Sequence, residues 1–373
     1  MNLKRSLFLF SVLAFPMSTM AQKYQLLIGT YTTGKSEGIY VYEFDAKTGG
    51  FDYLNKATGV ENPSYLALSD DRKNVYAVNE SGDGKGGVTA LSYDQKTGNL
   101  KVLNKVSSKG DHPCYVEVDK KKKHVFVANY SGGNLSVFPV RTDGSLGEAV
   151  QTIQHSGSGP VQERQQKPHV HMTILSPDEQ FLLTNDLGTD QVTIYRYDSD
   201  ASSPLKEEST FTSKPGAGPR HLVFHPKKNY AYIINELSGD IASFDYKKGK
   251  LEQIQVTSPV AGYTGKTDAA DIRISPDGKF LYASYRGDLN ELAIYAVDEA
   301  SGKLNLAGKS KTLGTGPRNF AIDPTGNFLL VAHQKSDYVT IFSRNPKTGL
   351  LTPHGNKKIE VGNPVCLVFV KAD

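Results

Sequence analysis

The stretch Ile-Ser-Pro-Asp-Gly-Lys-Phe-Leu-Tyr at positions 274–282 decides the fold of this 373-residue chain. It is typical of a strand end, a tight turn and the start of a second strand, because Pro and Gly supply the backbone angles of such turns. Degraded copies of the phrase begin at Leu68, Val118, Leu175, Phe224 and Ile322. A seventh copy at Val368 ends the chain without its second half, and a matching half stands near the other end, at residues 25–30.

These copies indicate a repeat of four short strands. Dividing residues 22–373 by seven gives about 50 residues per unit. Four-stranded units repeated radially form a β-propeller, whereas a linear stack would need different caps at its two ends. Because the two ends of this chain hold complementary halves of one unit, we predict an all-β, seven-bladed propeller. Its blades are four-stranded and antiparallel, and the N- and C-terminal strands share one blade.

The first 21 residues are typical of a secretory signal peptide. Lys4 and Arg5 precede an apolar run at residues 7–17, and the small residues Thr19 and Ala21 follow at the positions that a signal peptidase reads. The apolar run is too short to cross a bilayer. We therefore predict that residues 1–21 are removed and that residues 22–373 form the propeller domain. The protein is then periplasmic or secreted, with no membrane span.

Charge and cysteine content bear on the partners. The formal net charge of +4 is not concentrated in one stretch, so the sequence predicts no nucleic-acid partner. We expect a monomer that binds a small molecule.

Cys114 and Cys366 fall in the first strands of two units that another unit separates, so their Cα atoms should lie beyond the ~7 Å limit for a disulfide. Both thiols should be free and buried.

The strand order predicts where a ligand binds. A tight turn joins the first and second strands of each unit, so the start of the first and the end of the second lie at the same face of the ring. In a propeller the first strand is innermost, so both positions also border the central channel. The second strands end on Glu80, Tyr130, Asp186, Glu236, Arg286, Gln334 and Tyr31. The Pro position of the first strands is followed by Ser64, Cys114, His171, Arg220, Ala270, Arg318 and Val365.

These two sets of positions differ from unit to unit, although a repeated fold predicts repeated residues. Their mixture of carboxylates, arginines and a histidine favours a polar ligand site, with ordinary ion pairs at the rim as the alternative. Two long loops on the same face, at residues 155–169 and 258–268, are typical of functional loops. Asn precedes the second-strand end in four of the seven units, which favours a structural, turn-capping role there.

Several motifs carry a family resemblance. They are Gly159-Pro160, Arg164-Gln165, Pro168-His169-Val170-His171, Asp186-Leu187-Gly188-Thr189-Asp190, Gly218-Pro219-Arg220-His221, Asn235-Glu236, Ser275-Pro276-Asp277-Gly278 and Tyr285-Arg286-Gly287. In this order they resemble the seven-bladed lactonase family, which includes propeller-type 6-phosphogluconolactonases and 3-carboxy-cis,cis-muconate cyclases. The resemblance covers essentially all of residues 22–373. It implies the propeller fold, and it implies catalytic roles for His171, Glu236, Arg220 and Arg286.

Lactone hydrolysis gives these four residues chemical tasks. It needs a base to activate water, donors for the developing oxyanion and an acid for the leaving alkoxide. His171 suits the base or the acid, and Glu236 could act as base or orient His171. Arg220 and Arg286 suit the binding of a phosphate or carboxylate, or of the oxyanion. No nucleophile-elbow serine is present, which favours direct attack by water.

The remaining predictions concern substrate binding and cofactors. We predict substrate-binding roles for His169, Asp186, Glu80, Asn129, Arg318 and Gln334. We expect no cofactor and no metal, because the histidines show neither a His-x-x-x-His helix nor a cysteine pair. The sequence thus predicts a carboxylic-ester hydrolase that acts on an anionic sugar-acid lactone, with 6-phospho-D-glucono-1,5-lactone as the leading candidate. A lactone-forming or lactone-opening cyclase and a non-catalytic ligand-binding propeller remain the alternatives.

Overall fold

A computed structural model describes residues 22–371, so the predicted signal peptide lies outside the described residues. The described chain forms 28 β-strands in seven four-stranded sheets, and the predicted all-β, seven-bladed propeller is confirmed. Within residues 22–371, no helix has the length and apolar character needed to span a membrane.

The strands follow one another around the ring. They are β1 (Lys23–Thr30), β2 (Gly38–Asp45), β3 (Gly50–Thr58), β4 (Leu66–Leu68), β5 (Asn74–Asn79), β6 (Gly87–Asp94), β7 (Asn99–Ser107), β8 (Pro113–Val118), β9 (His124–Asn129), β10 (Asn134–Pro139), β11 (Gln151–Gln154), β12 (Val170–Leu175), β13 (Phe181–Asp186), β14 (Gln191–Tyr197), β15 (Leu205–Thr212), β16 (Pro219–Phe224), β17 (Tyr230–Asn235), β18 (Ile241–Lys247), β19 (Lys250–Thr257), β20 (Ala269–Ile274), β21 (Phe280–Tyr285), β22 (Glu291–Val297), β23 (Leu304–Lys311), β24 (Pro317–Ile322), β25 (Phe328–His333), β26 (Tyr338–Arg344), β27 (Leu351–Glu360) and β28 (Pro364–Lys371).

Each blade takes four strands in order. Blades one to six are β4–β7, β8–β11, β12–β15, β16–β19, β20–β23 and β24–β27, and blade seven has the order β28-β1-β2-β3. Every pairing within a blade is antiparallel, as the tight turns require.

The phrase at 274–282 forms the turn from β20 to β21. Gly278 has a positive φ of 81°, which glycine adopts without steric cost. Asp277 Oδ1 accepts hydrogen bonds from the Ser275 hydroxyl at 2.5 Å and from the Lys279 amide at 3.0 Å. The turn therefore fixes the register in which Ile274 pairs with Leu281.

The ring closes through strands from both ends of the chain. In blade seven, Gln25 of β1 pairs with Val370 of β28, and Gly29 pairs with Cys366. The prediction that residues 25–30 and the C-terminal strand share one sheet is confirmed. Cys366 and Cys114 are both free and buried, which confirms that prediction as well.

The second strand of each blade lies deep between its neighbours. All six residues of β5, β9, β13, β21 and β25 are buried, whereas β3 and β15 on the outside are largely exposed. A strand covered on both faces needs an almost continuous apolar sequence, which is what these strands have. This core positions the ends of the second strands at the channel.

The central channel is narrow in the middle and widens at both ends. Near the ends of the second strands lies a cavity of about 210 Å³. Beneath it is a constriction of about 10 Å³. A cavity of about 440 Å³ lies at the opposite mouth, where the first strands end.

Candidate active site

The 210 Å³ cavity occupies the face of the ring that the strand order predicts for a ligand. Its lining residues are Tyr31, Glu80, Cys114, Tyr130, Arg164, His171, Glu236, Arg286 and Arg318. All except Arg164 belong to the two sets of rim positions identified from the repeat. Arg220 lies just below and lines the constriction, which shares Cys114, His171 and Arg318 with the cavity.

Glu236, which directly follows β17, is bound by three arginines. Its Oε1 accepts a hydrogen bond from Arg164 Nη2 at 2.6 Å. Its Oε2 accepts one from Arg220 Nε at 2.8 Å and lies 3.2 Å from Arg286 Nη2. Burial acts to raise the pKa of Glu236, but the charges of Arg286, Arg220 and Arg164 outweigh it and lower the pKa to about 2. Glu236 is therefore a carboxylate at neutral pH, with both oxygens engaged.

The backbone of blade five fixes Arg220 and Arg286, the two arginines that contact Oε2 of Glu236. Arg220 is almost fully buried, and its Nη1 donates to the Ala270 carbonyl at 2.5 Å. Arg286 donates from Nε to the Asp268 carbonyl at 3.0 Å and from Nη2 to the Ala269 carbonyl at 3.4 Å. Each guanidinium thus has a fixed orientation, which is what binding an anion with two parallel hydrogen bonds requires.

A buried His–Asp pair supports Arg220 from below. His221 Nδ1 lies 2.8 Å from Asp271 Oδ1, and its Nε2 lies 3.3 Å from Arg220 Nη1. Burial and the Arg220 charge lower the pKa of His221 to about 3, so the ring is neutral at pH 7. Since Asp271 accepts from Nδ1, that nitrogen carries the proton and Nε2 accepts from Arg220. Asp271 also accepts from Asn319 Nδ2 at 2.7 Å.

Glu80 stands in a different environment at the end of β5. Its Oε2 accepts hydrogen bonds from the Tyr31 hydroxyl at 2.8 Å and from the Ser64 hydroxyl. Its Oε1 lies 3.8 Å from Arg318 Nη2, and the Arg318 guanidinium lies 5.7 Å from the centre of the Tyr31 ring. Burial raises the pKa of Tyr31, so its hydroxyl remains a donor.

His171 and Cys114 form the floor of the 210 Å³ cavity, where it meets the constriction. The Cys114 Sγ lies 3.8 Å from His171 Nδ1, and the His171 ring packs edge-on against those of Tyr130 and His221. Burial, together with Arg220, His221 and Arg318, holds the pKa of His171 well below its usual range. Burial also raises the pKa of the Cys114 thiol. Both floor groups are consequently uncharged at neutral pH.

The structure places four predicted substrate-binding residues outside the cavity lining, and two of them support the loop at 155–169. Asp186 Oδ1 accepts from the His169 amide at 2.7 Å, and its Oδ2 lies 2.9 Å from His155 Nδ1. Asp186 thus ties the two ends of that loop together. His169 stacks its ring on Tyr130, with centroids 4.5 Å apart. It therefore lies behind the cavity wall.

The other two predicted residues, Asn129 and Gln334, also do not line the cavity. The Asn129 amide donates to the Ser108 carbonyl, just after β7, at 3.0 Å and to Asn134 Oδ1 of β10 at 2.7 Å. This matches the structural role expected for the repeated asparagines. Gln334 directly follows β25, and its Cβ lies beside Gly316. Glu80 and Arg318, by contrast, line the cavity as expected.

Arg164 is the lining residue that the rim positions did not reveal. It projects from the 155–169 loop, next to the fully buried Gln165. Gln165 donates to the Leu187 carbonyl at 2.8 Å and to Asp190 Oδ1 at 2.7 Å. The sequence signals for it are the Arg164-Gln165 motif and the length of the 155–169 loop, since a loop residue has no place in a repeat.

The charges around the cavity and constriction favour an anionic ligand. Four guanidiniums face two carboxylates there, which leaves an excess of positive charge. The two histidines between them are neutral. Low-dielectric walls strengthen the attraction of such a site for a phosphate or carboxylate. Among residues 22–371, no group of three or more His, Cys, Asp or Glu side chains is arranged to hold a metal ion.

The fold and the site together define a propeller whose channel carries an arginine-rich site for a small anionic ligand. The chain belongs to the seven-bladed β-propeller lactonase family, since the family model described as "Lactonase, 7-bladed beta-propeller" matches residues 25–369. The predicted family is thereby confirmed, and with it the assignment as a lactonase, a carboxylic-ester hydrolase.

Relatives extend over nearly the whole chain. A 6-phosphogluconolactonase of Bacillus subtilis is 36% identical over 351 residues, which cover 93% of this chain and 99% of the relative. A 6-phosphogluconolactonase of Formosa agariphila is 37% identical over 334 residues, or 87% of this chain and 94% of the relative. The structure of the periplasmic gluconolactonase of Pseudomonas aeruginosa has a TM-score of 0.89 and 40% identity, covering 94% of this chain and 100% of that one.

Proposed function

We propose that the protein hydrolyses an anionic sugar-acid lactone, with 6-phospho-D-glucono-1,5-lactone as substrate and 6-phosphogluconate as product. The observation that carries this proposal is the excess of guanidinium charge around a cavity of about 210 Å³. The names of the Bacillus and Formosa relatives support a phosphorylated lactone. The name of the Pseudomonas relative supports a gluconolactone ring.

The arginines have two tasks in this reaction. Arg286 and Arg164 are the more accessible of the three that bind Glu236, so they are placed to bind the phosphate. Each charge-assisted hydrogen bond to it is worth about 1.5–3 kcal/mol. Arg220 lies deeper, beside neutral His171, and both can stabilise the oxyanion that forms when water attacks the lactone carbonyl.

A lactone panel tests the proposal. The protein without residues 1–21 is incubated in a pH-stat with 6-phosphoglucono-δ-lactone and with glucono-δ-lactone, and the spontaneous rate is subtracted. We expect hydrolysis of both, with the higher kcat/KM for the phosphorylated substrate. No acceleration with any lactone would leave a ligand-binding propeller, and ring closure of a carboxylated muconate would indicate a cyclase.

Export and a monomeric state belong to the same proposal. The periplasmic origin stated for the Pseudomonas relative supports removal of residues 1–21 and work outside the cytoplasm. N-terminal sequencing of the exported protein should begin at or near Gln22, and Met1 retained in a cytosolic fraction would contradict this. Light scattering should give the mass of one chain.

A further inference from the structure

The cavity holds two carboxylates, and their surroundings differ. Both oxygens of Glu236 are bound by guanidiniums, at 2.6, 2.8 and 3.2 Å. A group whose charge is stabilised to that degree accepts a proton poorly, because the proton must displace three cationic contacts. Efficient general bases have a proton affinity matched to the working pH. Glu236 therefore suits the task of orienting three arginines and does not suit the task of activating water.

Glu80 has the environment that Glu236 lacks. Hydroxyl groups of Tyr31 and Ser64 bind its Oε2, so its hydrogen-bond donors are neutral, whereas those of Glu236 are cationic. Among the contacts within residues 22–371, Oε1 has only the 3.8 Å ion pair with Arg318. The side chain is 12% exposed and lines the cavity. Oε1 is thus an oxygen with lone pairs left for a water molecule.

His171 is less suited to be the base. A proton on its ring would create a third positive charge beside the guanidiniums of Arg220 and Arg318, in a buried place. A proton on Glu80 would instead neutralise a negative charge, and among residues 22–371 the one ion pair of that carboxylate is the 3.8 Å contact with Arg318. The local charge therefore favours proton transfer to the carboxylate.

We infer that Glu80 is the general base that activates water, with Tyr31 and Ser64 as the positioning residues that hold its carboxylate. This inference rests on the proposed lactone hydrolysis. Oε1 takes one proton from water as the water oxygen forms a bond to the lactone carbonyl carbon. The carbonyl electron pair moves onto its oxygen, which becomes the oxyanion. When that pair returns, the ring C–O bond breaks, and the Glu80 carboxylic acid gives its proton to the leaving alkoxide oxygen.

The variant Glu80→Gln tests this role, because the amide keeps the shape of the side chain and loses its basicity. We expect kcat for 6-phosphoglucono-δ-lactone to fall about 10²–10⁴-fold, the usual contribution of a general base. KM should change less than about threefold, since no group that binds the phosphate is removed. Glu236→Gln should instead raise KM more than Glu80→Gln does. Glu291→Gln, which alters a buried, ion-paired glutamate of blade five outside the cavity, is the matched control and should keep wild-type rates.

Chemical rescue separates a base from a structural carboxylate. Glu80→Ala leaves space beside Tyr31 and Ser64, and added sodium formate should restore kcat in a saturable manner, whereas sodium chloride should not. Absence of rescue, or a kcat for Glu80→Gln within about threefold of wild type, would overturn the inference. If the wild-type protein hydrolyses no lactone, the proposed function itself fails. That result is distinct, because it is seen before any variant is made.

Discussion

At the scale of single residues, the site depends on a buried charge cluster in which one carboxylate compensates three guanidiniums. Removing one partner of a buried ion pair costs about 3–5 kcal/mol, because the remaining charges are left uncompensated. Glu236→Gln should therefore lower the free energy of unfolding by roughly that amount at pH 7. Urea denaturation measures it. Glu208→Gln, which breaks the exposed pair with Arg196, should cost far less, because water screens the charges of that pair. Equal losses in the two variants would argue against a tightly held cluster.

The same carboxylate predicts a pH dependence. The pKa of Glu236 is about 2 in the folded protein and near 4.5 for a glutamate in an unfolded chain. Its ionised form therefore contributes stability above the unfolded pKa, and this contribution is lost as the pH falls toward 2. The difference in unfolding free energy between wild type and Glu236→Gln should be constant from pH 7 to about 6 and shrink between about pH 4.5 and 3. A difference that stays constant down to pH 3 would contradict the assigned pKa.

At the scale of elements, the loop at 155–169 carries Arg164 and is tied down by two aspartates around the β13–β14 turn. Asp186 binds both loop ends, and Asp190 binds Gln165 inside the loop. Asp186→Asn should loosen the loop, so KM for the phosphorylated lactone should rise several-fold while kcat changes less. Limited proteolysis should then cut within 155–169. Asp298→Asn, in the β22–β23 turn, is the matched control and should leave both KM and the digestion pattern unchanged.

Much of this element-scale organisation follows from the sequence, and its limits have physical causes. Strand order alone placed eight of the nine lining residues at one mouth of the channel, because the length of the sequence repeat and the direction of its strands are the same in every blade. It also placed Asp186 at the rim. Whether a rim side chain turns toward the cavity depends on which loop it binds, and the repeat carries no information about that. The contact between His221 of blade four and Asp271 of blade five joins residues that are 50 positions apart in the sequence, so no local pattern could reveal it.

At the scale of the whole molecule, the ring depends on the pairing of β1 with β28. Seven register pairs join them, and β1 would otherwise lack its inner neighbour. Deleting residues 364–373 exposes the edge of β1 and opens the ring, so the melting temperature should fall by well over ten degrees or folding should fail. Deleting only 372–373 is the control. An unchanged melting temperature in the longer deletion would refute closure by mixed termini.

The central claim is that the arginine-rich cavity binds an anionic lactone and catalyses its hydrolysis. It is tested most directly by comparing kcat/KM for 6-phosphoglucono-δ-lactone and glucono-δ-lactone in wild type and in Arg286→Ala. We predict that the variant loses about 10–100-fold with the phosphorylated substrate, mainly through KM, and little with the unphosphorylated one, because one charge-assisted contact to the phosphate is gone. Arg286→Lys should restore little of that loss, since an ammonium group cannot make the planar two-bond contact. Full activity of Arg286→Ala on both lactones would contradict the account.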